Sequence, residues 1–229
     1  MGRRQKLLQR ALAFLSLVRW THLAFLAIAQ IVAYYFLFRQ EGGCMPDFQL
    51  LAVLLATGGI VGGGTLINSF YDLDRDLVQR PWRTLFERPV AKKYGLRIAA
   101  WLYGIGLLSA LAGLPFPANA GFGLYAILVW LYSHKQWGQH RLGPLMATLL
   151  AYTPLLLLAF TFAPHSARGF WTSLPLALVM IAIEWRRQWE RKYLLTLPVE
   201  ERKALLARQW IYKGLLILGV LAIPLTQIL

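Results

Sequence analysis

The chain has 229 residues, of which 58% are hydrophobic and only 15% charged. A soluble domain carries about 25% charged residues, so the composition excludes an ordinary water-soluble enzyme and points to apolar runs of about twenty residues that cross a membrane. The net charge of +14 gathers between those runs, which is the positive-inside bias of a membrane protein and argues against nucleic acid as a partner.

Met1 to Arg10 is basic, and the apolar run that follows continues to Phe38. That run is too long for a signal-peptide core, so it is expected as a retained first span with a cytoplasmic N-terminus. Arg19 and His22 interrupt it, and Arg19 is close enough to the end to reach the interface. Cys44 is the single cysteine, which excludes an internal disulfide. Seven apolar segments are expected as helices: 13–38, 49–70, 95–116, 119–134, 142–163, 169–187 and 209–229. They make an all-α, polytopic membrane bundle, a single integral domain over residues 1–229. The second segment carries Gly58/Gly62 and Gly59/Gly63, spacings that let a neighbouring helix approach closely. Pro115, Pro117, Asn119 and Gly121 mark a turn between the third and fourth segments. The segment from Glu200-Glu201-Arg202-Lys203 onward reads as a charged amphipathic helix at the interface. With the N-terminus inside, only Arg39 and Arg168 fall on or beside outside loops. Nearly all other lysines and arginines lie in inside loops or at adjoining span ends. The expected location is a bacterial inner membrane.

The chemistry concentrates where the second segment ends, at Asn68-Ser69-Phe70-Tyr71-Asp72-Leu73-Asp74-Arg75-Asp76. Asn68, Asp72 and Asp76 are spaced i, i+4 and i+8, so a helix would present them on one face. Arg80, Arg83, Arg88, Lys92 and Lys93 follow. Carboxylates and cations together suit magnesium and diphosphate. Mg²⁺ takes oxygen ligands from one or two carboxylates plus substrate phosphates, and arginine forks match phosphate oxygens. Metal and arginines together would stabilise a departing diphosphate. Solvated loop charges are the plainer alternative, against which the helical register of Asn68 and the aspartates weighs. His134 and His140 flank Lys135 at a spacing too loose for a metal pair and read as loop residues, with chlorin or heme contact as the alternative. Trp82, Trp137, Trp185 and Trp189 fit an interfacial aromatic belt.

The stretch N-S-F-Y-D-L-D-R-D followed by R-P-W-R resembles the first aspartate-rich motif of the UbiA superfamily of membrane prenyltransferases, close to N-D-x-x-D-x-x-x-D and then R-P-x-R-P. Asn68, Asp72, Asp76, Arg80, Pro81 and Arg83 match it, and Ser69 replaces the usual second aspartate. Arg88-Pro89-Val90-Ala91 resembles the loop into the third span, Tyr132-Ser133 followed by Lys135 resembles a Y-S/T…K element, and Thr196-Leu197-Pro198-Val199 resembles a T-L-P-V segment. The resemblance implies an all-helical, usually nine-span protein that uses Mg²⁺ to ionise an isoprenyl diphosphate. The prenyl group then passes to a lipophilic acceptor such as a quinone precursor, a chlorin, heme or a glycerol phosphate. On this chain it makes Asp72 and Asp76 the catalytic residues and Asn68, Asp72 and Asp76 the metal ligands. Asn68, Arg80, Arg83, Tyr132 and Lys135 become substrate contacts.

Two features depart from the family pattern. The last two spans are expected to be missing. The second aspartate-rich cluster, about D-x-x-D-x-x-G-D, is also missing: the window from Glu184 to Tyr193 holds no aspartate. Gln188 stands where the first aspartate is expected, and the register of Glu190 is off. Arg186, Arg187, Arg191 and Lys192 read there as positive-inside anchors, with direct contact to phosphate as the alternative. Two functions follow as expectations. One is a Mg²⁺-dependent prenyltransferase. The other is a non-catalytic relative kept as a structural, quinone-binding or pigment-binding subunit, with partner membrane subunits or lipids filling the gap. A small transporter has no support beyond the spans.

Overall fold

The computed structural model describes residues 3–38, 48–72, 81–162, 167–193 and 197–227. Among the described residues there are eight α-helices and no strand: α1 (Arg3–Val18), α2 (Trp20–Ala33), α3 (Phe48–Tyr71), α4 (Pro81–Gly113), α5 (Ala118–His134), α6 (Gly143–Phe162), α7 (Ala167–Tyr193) and α8 (Val199–Ala222). Contacts group the chain into two compact units. The first comprises Met1–Ala27 and Asp47–Trp137, and the second Ile28–Pro46 and Gly138–Leu229.

Five helical stretches are long and apolar enough to cross a membrane, among the described residues: Trp20–Phe38, Phe48–Tyr71, Glu87–Gly113, Gly143–Phe162 and Glu201–Thr226. The expected seven segments all carry helix, but two fall short for physical reasons. Helix α5 has 17 residues, about 26 Å at 1.5 Å per residue, against a hydrocarbon core of about 30 Å. Helix α7 is 27 residues long, yet its last turns carry Glu184, Arg186, Arg187, Glu190, Arg191 and Lys192.

Three expectations about boundaries change. The first apolar run is two helices, because Arg19 takes a left-handed φ of 55° between Val18 and Trp20. The polar α1 is thereby separated from the apolar α2, which runs on as a π-helical turn over Tyr34–Phe38. Helix α4, which carries the third apolar segment, begins well before residue 95. Pro81 sits at its first position, where no N–H is needed, and Pro89 is carried inside it. Finally, the charged segment after Glu200 is no separate surface helix. It continues into the last apolar segment as the single helix α8, started by Pro198 at its N-cap, with no proline between Val199 and Ala222 to stop it.

The first unit is built on close contact between α3 and α4. A Cβ added at Gly59 would lie 2.5 Å from the Leu102 carbonyl oxygen and 2.8 Å from Gly106 Cα, whereas one at Gly58 would meet nothing within 4 Å. A Cβ at Gly64 would lie 2.3 Å from Val129 Cγ1 on α5. Helix α1 closes the end of this unit by packing Ala13, Leu17 and Val18 against Leu66 and Ile67 of α3 and Val90, Ala91 and Ala99 of α4. The glycine spacing read from the sequence therefore serves α3–α4 packing through Gly59, and Gly58 takes no part. Gly59→Ala is expected to destabilise by about 1–3 kcal/mol, the range for overpacking a tight contact. Gly58→Ala is expected to stabilise by up to about 1 kcal/mol from helix propensity alone. Thermal unfolding of the two variants in one detergent should shift in opposite directions.

In the second unit the buried Gln30 donates from Nε2 to the Pro154 carbonyl of α6 at 3.2 Å. Tyr34 meets Phe162 edge to face with centroids 4.8 Å apart. Met180 of α7 packs against Gly219 of α8.

Candidate functional site

In the first unit the site begins where α3 ends. The Asp72 backbone N–H donates to the Asn68 carbonyl at 2.9 Å, so helical spacing extends through Asp72 although α3 itself stops at Tyr71. Asn68 and Asp72 are thus one turn apart on one face, as the spacing predicts, and both are half-buried. Asp76 and Arg80 lie outside the described residues, and so does the side chain of Arg83.

Helix α5 brings a second set of groups to this end of α3. The Ser133 hydroxyl donates to the Gly64 carbonyl at 3.1 Å. About two turns further along α3, the Tyr71 hydroxyl and His134 Nδ1 share a hydrogen bond of 2.8 Å. The His134 ring stacks on Trp130 with centroids 5.0 Å apart and 9° between the planes, and Tyr71 meets it edge-on at 5.2 Å. Tyr132 is half-buried and Lys135 is exposed, on either side of His134. His134 is therefore the last residue of α5 and is bonded to the neighbour of Asp72; it is no loop residue. Its sequence signal was faint: Tyr71 and His134 are 63 positions apart, and only α3–α5 packing brings them together.

The donors described here, a carboxylate and a carboxamide oxygen, are the hard-oxygen type that Mg²⁺ takes. Among the described residues, no three His, Cys, Asp or Glu side chains come together. Asp76, the third expected ligand, lies outside that set.

The second unit carries a different arrangement on α7 and α8. Glu184 is 4% exposed and is closed by Arg187, whose Nε and Nη2 donate to its two oxygens at 2.7 and 2.6 Å. Gln188 Nε2 donates to the same carboxylate at 2.5 Å. Glu190 is buried as well. Its Oε1 accepts from Arg186 Nε at 2.9 Å and from the Tyr212 hydroxyl of α8 at 2.9 Å, with Arg208 Nη1 3.8 Å away. Gln209 Nε2 donates to the Arg187 carbonyl at 3.2 Å. Arg187 is thus an internal partner of Glu184 with 14% of its side chain exposed, which corrects its reading as an interfacial anchor. Both carboxylates of this segment are spent on guanidinium groups.

The profile of the UbiA prenyltransferase family matches residues 29–226. The chain belongs to the UbiA prenyltransferase family. Digeranylgeranylglyceryl phosphate synthase of Hyperthermus butylicus (strain DSM 5456 / JCM 9403 / PLM1-5) is 32% identical over 130 residues, which is 56% of this chain and 43% of the relative. The match therefore spans less than half the length of that relative. A solved structure reported as giving structural and mechanistic insights into the biosynthesis of digeranylgeranylglyceryl phosphate synthase in membranes aligns with a TM-score of 0.59. The alignment covers 96% of this chain and 99% of the other at 15% identity, a likeness of fold. The UbiA-like fold and the five apolar helices make this an integral membrane protein of a prenyltransferase family.

Proposed function

We propose that the protein transfers an isoprenyl group, inside the membrane, from a prenyl diphosphate to a lipophilic acceptor with Mg²⁺. The observation that carries this reading is the pairing of Asn68 and Asp72 at the end of a buried, glycine-rich helix in a UbiA-family chain. In sequence, Asp76 and then Arg80-Pro81-Trp82-Arg83 follow at the family spacing. Asn68, Asp72 and Asp76 would hold the ion. Bound Mg²⁺ would supply charge neutralisation for the diphosphate oxygens. Arg80 and Arg83 would take phosphate oxygens as bidentate forks, and Tyr132 and Lys135 would line the same end. In the reaction the C–O bond of the allylic diphosphate breaks and its electron pair leaves with diphosphate. A bond forms from the acceptor atom to that prenyl carbon, and the acceptor loses a proton.

The acceptor belongs among quinone precursors, chlorins and similar lipophiles. A glycerol phosphate acceptor also belongs to the set, and the name of the matched relative, a digeranylgeranylglyceryl phosphate synthase, supports it. Residues 1–229 act in this reading as one domain of a bacterial inner membrane with the N-terminus in the cytoplasm, as the basic inside segments favour.

A second reading, a non-catalytic subunit that binds a quinone or pigment within a membrane complex, is favoured by one observation. Glu184 and Glu190 are already paired with arginines. Turnover separates the two. Purified protein, Mg²⁺, labelled isoprenyl diphosphates and a panel of acceptors should give a prenylated product with at least one pair. Failure with every pair, together with co-purification of other membrane subunits, supports the second reading.

A further inference from the structure

We propose that Glu190 builds a metal-free phosphate site at the α7–α8 pair by holding Arg186 and Arg208 together on its exposed side. One buried carboxylate oxygen is the hub. Glu190 Oε1 accepts from Arg186 Nε and from the Tyr212 hydroxyl, both at 2.9 Å, and lies 3.8 Å from Arg208 Nη1. Arg186 of α7 and Tyr212 of α8 thus meet on one oxygen, which fixes the guanidinium. The two arginines remain accessible, with 63% and 52% of their side chains exposed, while that of Glu190 is 7% exposed. Arg186 bonds Glu190 through Nε, and a guanidinium has five N–H donors, so most of its donors are left for an anion.

Stability alone does not account for this arrangement. Exposed ion pairs contribute little, and desolvating a carboxylate costs more than such pairs return. The other oxygen of Glu190, Oε2, is buried without a hydrogen-bond partner among the described residues, which adds to that cost. A divalent cation fits poorly, because two guanidinium groups already surround the one carboxylate and Glu184 is closed on Arg187. Planar forks beside each other suit phosphate oxygens. The ligand is therefore a phosphate-bearing one, either a free diphosphate or the headgroup of an anionic lipid. Its assignment to the prenyl diphosphate rests on the proposed function above; the site itself does not.

The test is calorimetric titration of inorganic pyrophosphate into the full chain in nanodiscs, with chelator present to remove divalent ions. Wild type is expected to bind, and Arg186→Gln with Arg208→Gln to weaken binding at least tenfold. Arg186→Lys keeps the charge but loses the Nε bond, and is expected to weaken binding several-fold with an unchanged melting temperature. Lys203→Gln with Lys213→Gln removes the same charge elsewhere and is expected to leave binding as it is. In phosphatidylglycerol discs, an arginine-dependent loss of pyrophosphate affinity relative to phosphatidylcholine discs assigns the site to lipid headgroups. Equal affinity in the two assigns it to free diphosphate. Absence of metal-free binding in wild type, or equal binding by the Arg186→Gln, Arg208→Gln pair, overturns the site. Arginine-dependent binding without prenyl turnover overturns the proposed reaction and leaves the site standing.

Discussion

Asp72→Asn is expected to lower Mg²⁺-dependent prenyl transfer by roughly 10²–10³-fold while leaving the fold intact. Asparagine keeps the shape of the side chain, and the backbone bond from Asp72 N–H to the Asn68 carbonyl is untouched, so the end of α3 keeps its geometry. The negative charge that would hold the ion is lost. A metal ion on a phosphoryl oxygen supplies several kcal/mol of charge stabilisation, and each 1.36 kcal/mol is about tenfold in rate. The effect should fall mainly on kcat, because charge builds on the leaving diphosphate as the bond breaks. Pyrophosphate release measured across a Mg²⁺ titration checks it. Activity near the wild-type value at saturating Mg²⁺ would remove Asp72 from the site.

Glu184→Ala is expected to destabilise the second unit by about 3–5 kcal/mol, the usual cost of leaving one partner of a buried ion pair alone. Arg187 would keep its charge with 14% of its side chain exposed and both of its hydrogen bonds to Glu184 gone. Gln188 would lose its acceptor in the same step. For a chain of this size that corresponds to a fall in melting temperature on the order of 10 °C. Adding Arg187→Met should recover most of the loss, since replacing both ions by apolar groups is often close to neutral. Thermal unfolding of the single and double variants in the same detergent decides the matter. A single variant that melts with wild type would mean that Arg187 finds water or another acceptor.

The residues show which parts of this were legible in the sequence. Asn68 and Asp72 were readable because a spacing of four has one meaning on a helix, and the apolar run behind them made the helix secure. The pairs Glu184/Arg187 and Arg186/Glu190 were also within reach, since i,i+3 and i,i+4 neighbours meet on a helix surface. The positive-inside bias obscures them, because it describes a whole segment and does not say which arginine turns inward. Tyr71–His134 and Glu190–Tyr212 were not readable at all: each joins two helices, and inter-helix register depends on packing such as the contact of Gly64 with Val129. Arg19 interrupts the apolar run, but a lone arginine does not say that the helix ends there, because a left-handed φ at a non-glycine residue has no compositional signature. The continuity of α8 was hidden by its charges, which look interfacial although the backbone has no reason to stop.

The most direct test follows the bond that the account says is broken. Purified protein is given isoprenyl diphosphate labelled at the carbon bearing oxygen, an acceptor lipid and Mg²⁺, and the label and the inorganic pyrophosphate are counted together. The account predicts label in a lipid-soluble acceptor product with one pyrophosphate released per transfer. It also predicts that both are lost on chelation of the metal and in Asp72→Asn. Intact isoprenyl diphosphate after prolonged incubation with every acceptor, in protein that still binds it, would contradict it.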